Sequence, residues 1–467
     1  MTAMAERPNH MSPEEFRQRG YQAVDWVADY MARLGDFPVK SLVEPGDIRA
    51  MLPAEAPERG EDFTAVLADL DRVVLPGITH WQAPGFFAYF PANASGPSAL
   101  ADMVSSGLGA QGMLWDTGPA VTELEQHILD WLAIEMDLPE RFRGNGVIQD
   151  SASSSTLCAI LAARHRAGGI DALPSLVAYT SKQAHSSIVK GLRVAGIPAE
   201  RVRSIATTPD YAMRADHLAY EIVQDRNDGL VPFFVAATVG TTSTTAIDPV
   251  TEVGWVASNF DAWLHVDAAF AGAAALCPEM RFLNAGLDAA DSYVFNPHKW
   301  LLTNFDCSAF YVADRAGLNE ALSITPEYLR NPASESGAVV DYRDWQVPLG
   351  RRFRALKLWF VLRHYGMEGL RAHMRRHIAW AAELTGWVEA DNRFELAAPT
   401  VVSLVCFRHI DGNNATSRVL DAVNQSGKAY LTSTTIDDQL VLRVAIGSPQ
   451  TEHQHVRELW NLIQSAA

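Results

Sequence analysis

The sequence predicts an α/β protein with a mostly parallel sheet, followed by a smaller α+β domain. From about residue 116, apolar stretches of strand length alternate with helical patterns for roughly 200 residues. Such alternation is typical of a parallel sheet with helices on both faces. From about residue 352 the pattern changes to a long helix, shorter strands and a final helix. At 467 residues the chain is long enough for more than one domain.

The first part of the chain is predicted to be a helical arm. Phe16 and Val24 belong to an apolar set that recurs at helical spacing within residues 13–34. Prolines punctuate the segment that follows, which is too irregular for a core and suits an arm lying on another surface. After a second helical pattern at 63–75 comes an aromatic, proline-rich segment at 79–98. That segment is either core filler or a wall of a substrate pocket.

Individual apolar runs predict the elements of the two domains. Strands are expected at 146–149, 176–180, 233–238, 263–267, 400–407 and 440–446. Helices are expected at 122–136, 153–166 and 352–376, with one more at the C-terminus. We therefore divide the chain into an N-terminal helical arm (1–95), a large α/β domain (96–356) and a small C-terminal α+β domain (357–467).

Composition and charge narrow the class of partner. The chain is 48% hydrophobic and 20% charged, as an ordinary globular protein is. A net charge of −17 and a pI of about 5.2 argue against nucleic acid or an anionic membrane surface as the main partner. The four cysteines are scattered without a CxxC or Cys/His cluster, so we expect no disulfide framework and no metal site. We find no signal-peptide core and no apolar run of membrane length, and expect a cytoplasmic protein.

An amine and a carboxylate are predicted to meet at one edge of the sheet. Asp267 closes the apolar strand 263–267, and Lys299 follows a second apolar stretch at 292–295. This pair suits pyridoxal phosphate, because the lysine can form a Schiff base and the aspartate can keep the pyridine nitrogen protonated. The alternative is a solvated loop lysine and an aspartate that only caps its strand.

Two hydroxyl-rich runs and a histidine stand at the ends of predicted strands. Residues 150–156 lie between a strand and a helix, where backbone N–H groups and hydroxyls can bind a phosphate. Residues 240–245 form a second such run. Helix capping and an ordinary polar turn are the alternatives. His185, after another strand, is either structural or placed to stack on a flat cofactor ring. Spacing alone gives His298 no role.

Several blocks of the sequence resemble one enzyme family. They include FAYFP at 87–91, QAHSS at 183–187, the segment 263–269, NPHKWLL at 296–302 and PLGRRFR at 348–354. The sequence resembles the group II pyridoxal-phosphate decarboxylases, and among them the aromatic-L-amino-acid decarboxylases. These blocks occur in the same order and at similar separations as in that family, along nearly the whole chain. The resemblance implies a fold type I enzyme that converts aromatic L-amino acids to amines and carbon dioxide. It also implies a homodimer with active sites at the subunit interface, in which the N-terminal arm lies on the partner.

The resemblance assigns roles to the matching positions. Lys299 would bind the cofactor covalently, and Asp267 would pair with the pyridine nitrogen. His185 would stack over the ring, with Ala269 on the opposite face. Tyr328, the fourth catalytic residue, would protonate the α-carbon across the dimer interface after carbon dioxide leaves. The residues implied to contact the cofactor are Ala152, Ser153, His185, Thr242, Asp267, Ala269, Asn296, His298 and Lys299. Those implied to contact the substrate are Trp81, Phe90, Ala92, His185 and Gly350.

The sequence leaves other activities open. Aromatic aldehyde synthases of the same family typically replace the loop tyrosine or the ring-stacking histidine, whereas this chain has both Tyr328 and His185. An aminotransferase and a catalytically silent cofactor-binding or interaction paralogue are the further alternatives. Intact catalytic positions favour the plain decarboxylase.

Two positions bear on the choice of substrate. Gly350 matches a position at which plant relatives with glycine prefer indoles, because glycine leaves room for a bicyclic ring. We therefore expect tryptophan and 5-hydroxytryptophan before phenylalanine, tyrosine and dopa. Where animal members have a threonine, this chain has Ala92 followed by Asn93, so the threonine hydroxyl contact is absent unless Asn93 replaces it.

Overall fold

The computed structural model describes residues 10–324 and 338–467. Its helices are α1 (Pro13–Ala32), α2 (Asp47–Met51), α3 (Phe63–Asp69), α4 (Leu75–Gly77), α5 (Gly96–Leu108), α6 (Pro119–Glu135), α7 (Ala152–Arg166), α8 (Ser186–Val194), α9 (Ala215–Asn227), α10 (Val250–Asn259), α11 (Pro297–Trp300), α12 (Arg315–Leu322), α13 (Arg354–Ala390), α14 (Asn413–Gln425) and α15 (His453–Ala466). Its strands are β1 (Gly146–Gln149), β2 (Leu176–Ser181), β3 (Val202–Ile205), β4 (Val231–Thr238), β5 (Trp263–Asp267), β6 (Ser292–Phe295), β7 (Ser308–Val312), β8 (Phe394–Leu396), β9 (Leu404–His409), β10 (Thr432–Ile436) and β11 (Gln439–Ala445).

The central sheet of the described residues contains seven strands in the order β1-β7-β6-β5-β4-β2-β3. Strands β3, β2, β4, β5 and β6 pair in parallel, and β7 pairs antiparallel with both β6 and β1. The predicted mostly parallel sheet is confirmed. Because β1, β2, β4, β5 and β6 run in one direction, the loops after these strands meet at one edge, where α/β proteins bind ligands.

The central sheet is buried on both faces. Alternate side chains of β4 and β5 belong to different apolar clusters, with Val235 and Leu264 in one and Phe234 and Trp263 in the other. Helices α6, α10 and α13 contribute to the first cluster, and α7, α8 and α12 to the second. A fully buried side chain of this size contributes about 1.5–3 kcal/mol. Two-sided burial therefore fixes the strand register and with it the positions of the strand ends.

A smaller α+β unit follows the central sheet. Its antiparallel sheet has the order β10-β11-β9-β8, and α14, α15 and the end of α13 join it in a separate apolar cluster. Helix α13 runs further than predicted, with a break at Gly366, whose φ of +62° suits glycine. The predicted combination of a large parallel-sheet domain and a small C-terminal domain is confirmed. Because α13 packs against both, the boundary between residues 356 and 357 stays a prediction.

The N-terminal segment lies outside both sheets. Helix α1, described in full, buries none of its side chains, and Phe16 and Tyr21 are 59% and 67% exposed. Helix α1 contacts the rest of the arm through side-chain hydrogen bonds, among them one from Trp26 Nε1–H to Asp71 Oδ2 at 3.1 Å. An amphipathic helix without buried side chains has an apolar face available to another surface. Within the described ranges, no helix is long and apolar enough to cross a membrane.

Candidate active site

A cavity of about 210 Å³ lies where β1, β2, β4, β5 and β6 end. All nine residues predicted to contact the cofactor contribute to its walls. The lining residues are Phe90, Ser151, Ala152, Ser153, His185, Ser187, Thr238, Gly240, Thr242, Asp267, Ala269, Phe270, Asn296, His298 and Lys299.

Lys299 and Asp267 come together in this cavity from neighbouring strand ends. Asp267 ends β5 and is 4% exposed, and its Oδ1 accepts the N–H of Ala269 at 3.0 Å. Lys299 follows β6 on the single turn α11 and is partly buried. Burial lowers the pKa of the Lys299 amine, the Asp267 charge opposes this shift and the Arg443 charge adds to it. A lower pKa increases the fraction of neutral amine, the form that attacks a carbonyl carbon.

The N-terminus of α7 opens into the cavity. Ser151 is its N-cap, and the Ser151 hydroxyl accepts the N–H of Ser154 at 3.3 Å. Helix geometry leaves the first-turn N–H groups of Ala152 and Ser153 without an acceptor inside α7. These N–H groups and the positive end of the helix dipole suit a phosphate. The run 150–156 therefore provides both a helix cap and donors for an anion.

The loop after β4 also lines the cavity. Gly240 has a φ of +85°, and a Cβ there would lie 2.6 Å from the Ala271 Cβ, so the backbone geometry requires glycine. The Thr241 hydroxyl accepts the N–H of Ala246 at 3.0 Å, which makes the run a polar turn. Thr242 lines the cavity from this turn.

Two histidines of the cavity are held in a defined protonation state. His185 caps α8, and its Nδ1 accepts the Ser187 N–H at 3.2 Å. His298 Nδ1 accepts the Cys307 N–H at 2.9 Å. Burial lowers the pKa of His185, and burial lowers the pKa of His298 to about 3, with the Lys299 charge contributing in both cases. Since each Nδ1 is an acceptor, both rings are neutral and carry their proton on Nε2.

An aromatic pair lines one side of the cavity, and an arginine of the small domain packs on it. Phe90 stacks on Phe270 with ring centroids 4.0 Å apart. Lys299 Nζ and the Arg443 guanidinium carbon lie 5.4 Å and 5.3 Å from the Phe90 centroid. Arg443, 5% exposed on β11, donates to the carbonyl oxygens of Thr242 (2.7 Å) and Ser243 (3.0 Å). The small domain thus holds the loop after β4 in place.

The lining residues fit a group with an aldehyde, a basic ring nitrogen and a phosphate. Lys299 offers an amine, Asp267 a carboxylate, and α7 free N–H groups. In addition, the side-chain oxygens of Thr238 (Oγ1) and Asn296 (Oδ1) are buried in the wall without a hydrogen-bond partner among the described residues. Buried polar atoms are nearly always paired, so these two oxygens indicate a site for a polar ligand.

Asn93 holds the turn that carries Lys299 and does not line the cavity. It is 1% exposed, and its backbone N–H donates to His298 O at 2.8 Å. Its side chain accepts the Leu302 N–H at 3.1 Å and donates to Gly447 O at 2.9 Å. Asn93 therefore brackets Lys299 from both sides, and its amide is already engaged instead of replacing the threonine hydroxyl of animal relatives.

Residues 45–410 match a family model described as the pyridoxal-dependent decarboxylase conserved domain. The chain belongs to the pyridoxal-dependent decarboxylase family. The family predicted from the sequence is confirmed, and so is pyridoxal phosphate as the cofactor.

Similar proteins cover the whole length of this decarboxylase. The phenylacetaldehyde synthase of Arabidopsis thaliana is 47% identical over 98% of this chain and 96% of its own. Tryptophan decarboxylase 2 of Oryza sativa subsp. japonica is 44% identical over 98% of this chain and 95% of its own. A crystal structure of Oryza sativa TDC with PLP and tryptamine has a TM-score of 0.96 at 39% identity, covering 98% of this chain and 99% of that one. The predicted fold type I architecture is confirmed.

Only some of the residues predicted to contact the substrate line the cavity. Phe90 and His185 line the cavity, whereas Trp81, Ala92 and Gly350 lie outside its lining. Trp81 stacks on Tyr89 with ring centroids 5.6 Å apart. The carbonyl oxygen of Ala92 accepts a hydrogen bond from the Gln82 side chain, and Gly350 is exposed. Tyr328 lies outside the described residues, so its predicted role stays a prediction.

Several residues of the site were not predicted individually. Ser151, Ser187 and Gly240 belong to runs that the sequence did single out, and strand-end position is the signal for them. Phe270 and Arg443 were missed altogether. An arginine within the apolar run 439–446 is a signal that could have identified Arg443, because a charge inside such a strand needs polar partners.

Proposed function

We propose that this decarboxylase acts on aromatic L-amino acids, tryptophan and 5-hydroxytryptophan before phenylalanine, tyrosine and dopa, and releases the amine and carbon dioxide. The observation that carries the proposal is the meeting of Lys299, Asp267 and His185 in one cavity. The names of the similar proteins support an aromatic side chain on the substrate.

Each residue of the cavity has a separate task in this reaction. Pyridoxal phosphate, when bound, supplies a ring that takes up the electron pair left on the α-carbon as carbon dioxide departs. Lys299 would hold the cofactor covalently, and the N–H groups of Ala152 and Ser153 would bind its phosphate. The Asp267 carboxylate would keep a proton on the ring nitrogen, because a buried negative charge strongly favours a neighbouring positive one.

His185 is suited to orient the substrate. Because its Nδ1 accepts the Ser187 N–H, the ring has one remaining donor, Nε2–H. We infer that this donor binds the substrate carboxylate and holds the bond to be broken in the reactive orientation. Orientation of this kind decides which bond at the α-carbon breaks. Tyr328 would then deliver the proton to the α-carbon.

The aromatic side chain of the substrate would extend beyond the cavity. The cavity volume of about 210 Å³ is below the roughly 300–1,000 Å³ of sites that enclose a drug-sized ligand. The cofactor and an indole together would therefore reach the cavity mouth. Gly350, exposed and outside the lining of its own chain, would contact the indole from a second copy of the chain.

We infer that the enzyme is a homodimer. Helix α5 exposes Leu100, Met103, Val104 and Leu108, each by 41% or more, at spacings that place them on one helical face. Helix α1 adds its own unburied apolar residues. Exposed apolar residues grouped on one helical face are typical of a protein interface. A second copy is the occupant that also brings Gly350 to the substrate, so the surface and the incomplete site support the same assembly.

A single charge on α5 tests the dimer. Leu108→Asp is expected to shift the enzyme towards the monomer and to lower tryptophan decarboxylation at least about tenfold, since the carboxylate would have to be buried in the interface. Light scattering after gel filtration, with activity measured at the same protein concentration, gives the result. Ile170→Asp, at an exposed apolar residue in the turn after α7, is the matched control. A wild-type enzyme that is monomeric yet fully active would contradict the inference.

A panel of L-amino acids tests the proposed activity. We expect amine from L-tryptophan and L-5-hydroxytryptophan at higher kcat/KM than from L-phenylalanine, L-tyrosine or L-dopa, and no amine from L-glutamate. Chromatography of the products, with equal amounts of amine and carbon dioxide, measures this. Turnover of an acidic amino acid without turnover of any aromatic one would refute the proposal.

Aldehyde formation is the second candidate function. It is favoured by the 47% identity to the phenylacetaldehyde synthase of Arabidopsis thaliana. Against it stands the presence of both His185 and Tyr328, the positions that such synthases typically replace. The same panel separates the two functions when aldehyde, ammonia and hydrogen peroxide are measured beside the amine.

A further inference from the structure

A column of stacked rings leads from the cavity into the core. Phe270, stacked on Phe90 in the cavity wall, also stacks on Trp300 with centroids 4.8 Å apart and planes 18° apart. The Trp300 ring is also nearly parallel to the ring of His377 on α13, with centroids 6.3 Å apart and planes 4° apart. His373, one turn earlier on α13, meets His377 edge-on at 4.3 Å. The column thus connects the catalytic cavity with α13.

Trp300 is the residue that follows Lys299. Both residues belong to α11, a single helical turn with few hydrogen bonds of its own, among them Lys299 N–H to Asn296 O at 2.9 Å. Trp300 is fully buried, and its Nε1–H donates to His377 Nδ1 at 3.0 Å. The hydrogen bond therefore fixes the position of the rigid indole ring. Because Lys299 is the preceding residue, the fixed indole also restrains the backbone of Lys299.

His377 is a neutral acceptor buried in the core. It is 1% exposed, and burial lowers its pKa well below the usual value, with His373 and Arg376 adding to the shift. His373 Nε2 is buried as well and has no hydrogen-bond partner among the described residues. Trp380 packs at 5.4 Å from the His377 ring. Because Nδ1 accepts from Trp300, His377 carries its proton on Nε2.

We propose that His377 is a positioning residue for the catalytic lysine. By accepting the hydrogen bond of Trp300, it fixes the indole between Phe270 and α13 and thereby sets the direction of Lys299 into the cavity. Without this acceptor the indole N–H would be buried and unpaired, and the ring would turn to find another partner. The backbone of the turn α11 would shift with the ring, and the Lys299 side chain would move away from its position above the Phe90 ring. This inference rests on the role proposed for Lys299.

The test compares two replacements of His377 in the holoenzyme. His377→Leu keeps the approximate size of the side chain but removes the acceptor, whereas His377→Asn can place Oδ1 near the position of Nδ1. We expect His377→Leu to lower kcat about tenfold with KM changed less than about twofold, since small displacements of a reacting group are costly. His377→Asn should recover to within about threefold of wild type.

Two readouts do not depend on turnover. The dissociation constant of pyridoxal phosphate from the protein, and the pH midpoint of its absorption band near roughly 400 nm, should both change in His377→Leu and return in His377→Asn. A purely structural role would lower the melting temperature of the two variants without moving this midpoint. Equal shifts in both variants, or none in either, would overturn the proposal.

A second variant tests the route through Trp300. Trp300→Phe keeps a stacking ring but removes the donor, so His377→Leu in that background should cause less than about a twofold further change in kcat and in the cofactor dissociation constant. If the effects of the two substitutions on kcat multiply in the double variant, His377 does not act through Trp300. If the wild-type enzyme binds cofactor but decarboxylates no aromatic amino acid, the proposed function fails, while the cofactor readouts still decide the role of His377.

Discussion

Replacing Lys299 with alanine is expected to lower kcat at least about 10³-fold, because the variant loses both the covalent link to the cofactor and a group that moves protons. Lys299 lines the cavity together with Asp267, and its Nζ lies 5.4 Å from the centroid of the Phe90 ring. Burial lowers the pKa of this amine and so favours its neutral, nucleophilic form. Initial rates with L-tryptophan, and the absorption of the bound cofactor near roughly 400 nm, measure the effect.

The control for this variant is an alanine at an exposed lysine. Lys190 lies on α8, close in sequence to His185, and Lys190→Ala should keep wild-type kcat and absorbance. Circular dichroism and gel filtration should be the same for both variants, since neither lysine holds the core together. Turnover by Lys299→Ala within tenfold of wild type would remove Lys299 from the mechanism. A wild-type protein without the absorption band would support the silent paralogue instead.

Asp267→Asn is expected to lower kcat about 10²-fold or more, which corresponds to roughly 2.7 kcal/mol of lost transition-state stabilisation. The asparagine can still accept the Ala269 N–H at 3.0 Å through Oδ1, so the strand end should keep its shape. What disappears is the negative charge that would hold a proton on the pyridine nitrogen. Cofactor retention should fall as well, and a dialysis series with absorbance readings measures that loss.

A matched substitution separates the charge from the general effect of mutation. Asp261, exposed in the turn before β5 with a φ of +55°, also tolerates asparagine, because both residues adopt left-handed backbone conformations. Asp261→Asn should therefore leave kcat and cofactor retention unchanged. Full activity of Asp267→Asn would assign the pyridine nitrogen to another partner.

Strands with strong local signals could be predicted from the sequence. The bounds predicted for β1 and β5 agree with the structure, because every residue of both strands is buried. Strand β3 was missed because only Ile205 of its four residues is buried at the edge of the sheet. Strand β10 was missed because hydroxyl residues dominate it. The antiparallel insertion of β7 between β6 and β1 depends on pairing across the sheet, which no local pattern encodes.

The residues of the site likewise divide into those with a local sequence signal and those placed only by tertiary packing. Asp267 and Lys299 stand at the ends of strands that are recognisable in the sequence, so their meeting follows from the parallel arrangement of β5 and β6. Arg443 reaches the Phe90 ring of the cavity wall from the other sheet, and only tertiary packing brings it there. The positions of Trp81 and Gly350 outside the lining likewise depend on packing, and in the proposed dimer on a second chain.

The three hydrogen bonds of Asn93 have a consequence for the motions of the catalytic turn. They join the segment before α5, the turn around Lys299 and the residue pair after β11, which are distant in sequence. The turn therefore cannot fray alone, as an exposed loop would, because opening it also releases the N-terminal segment and the small domain. Its amides should exchange with solvent only in a large cooperative opening, among the slowest in the protein.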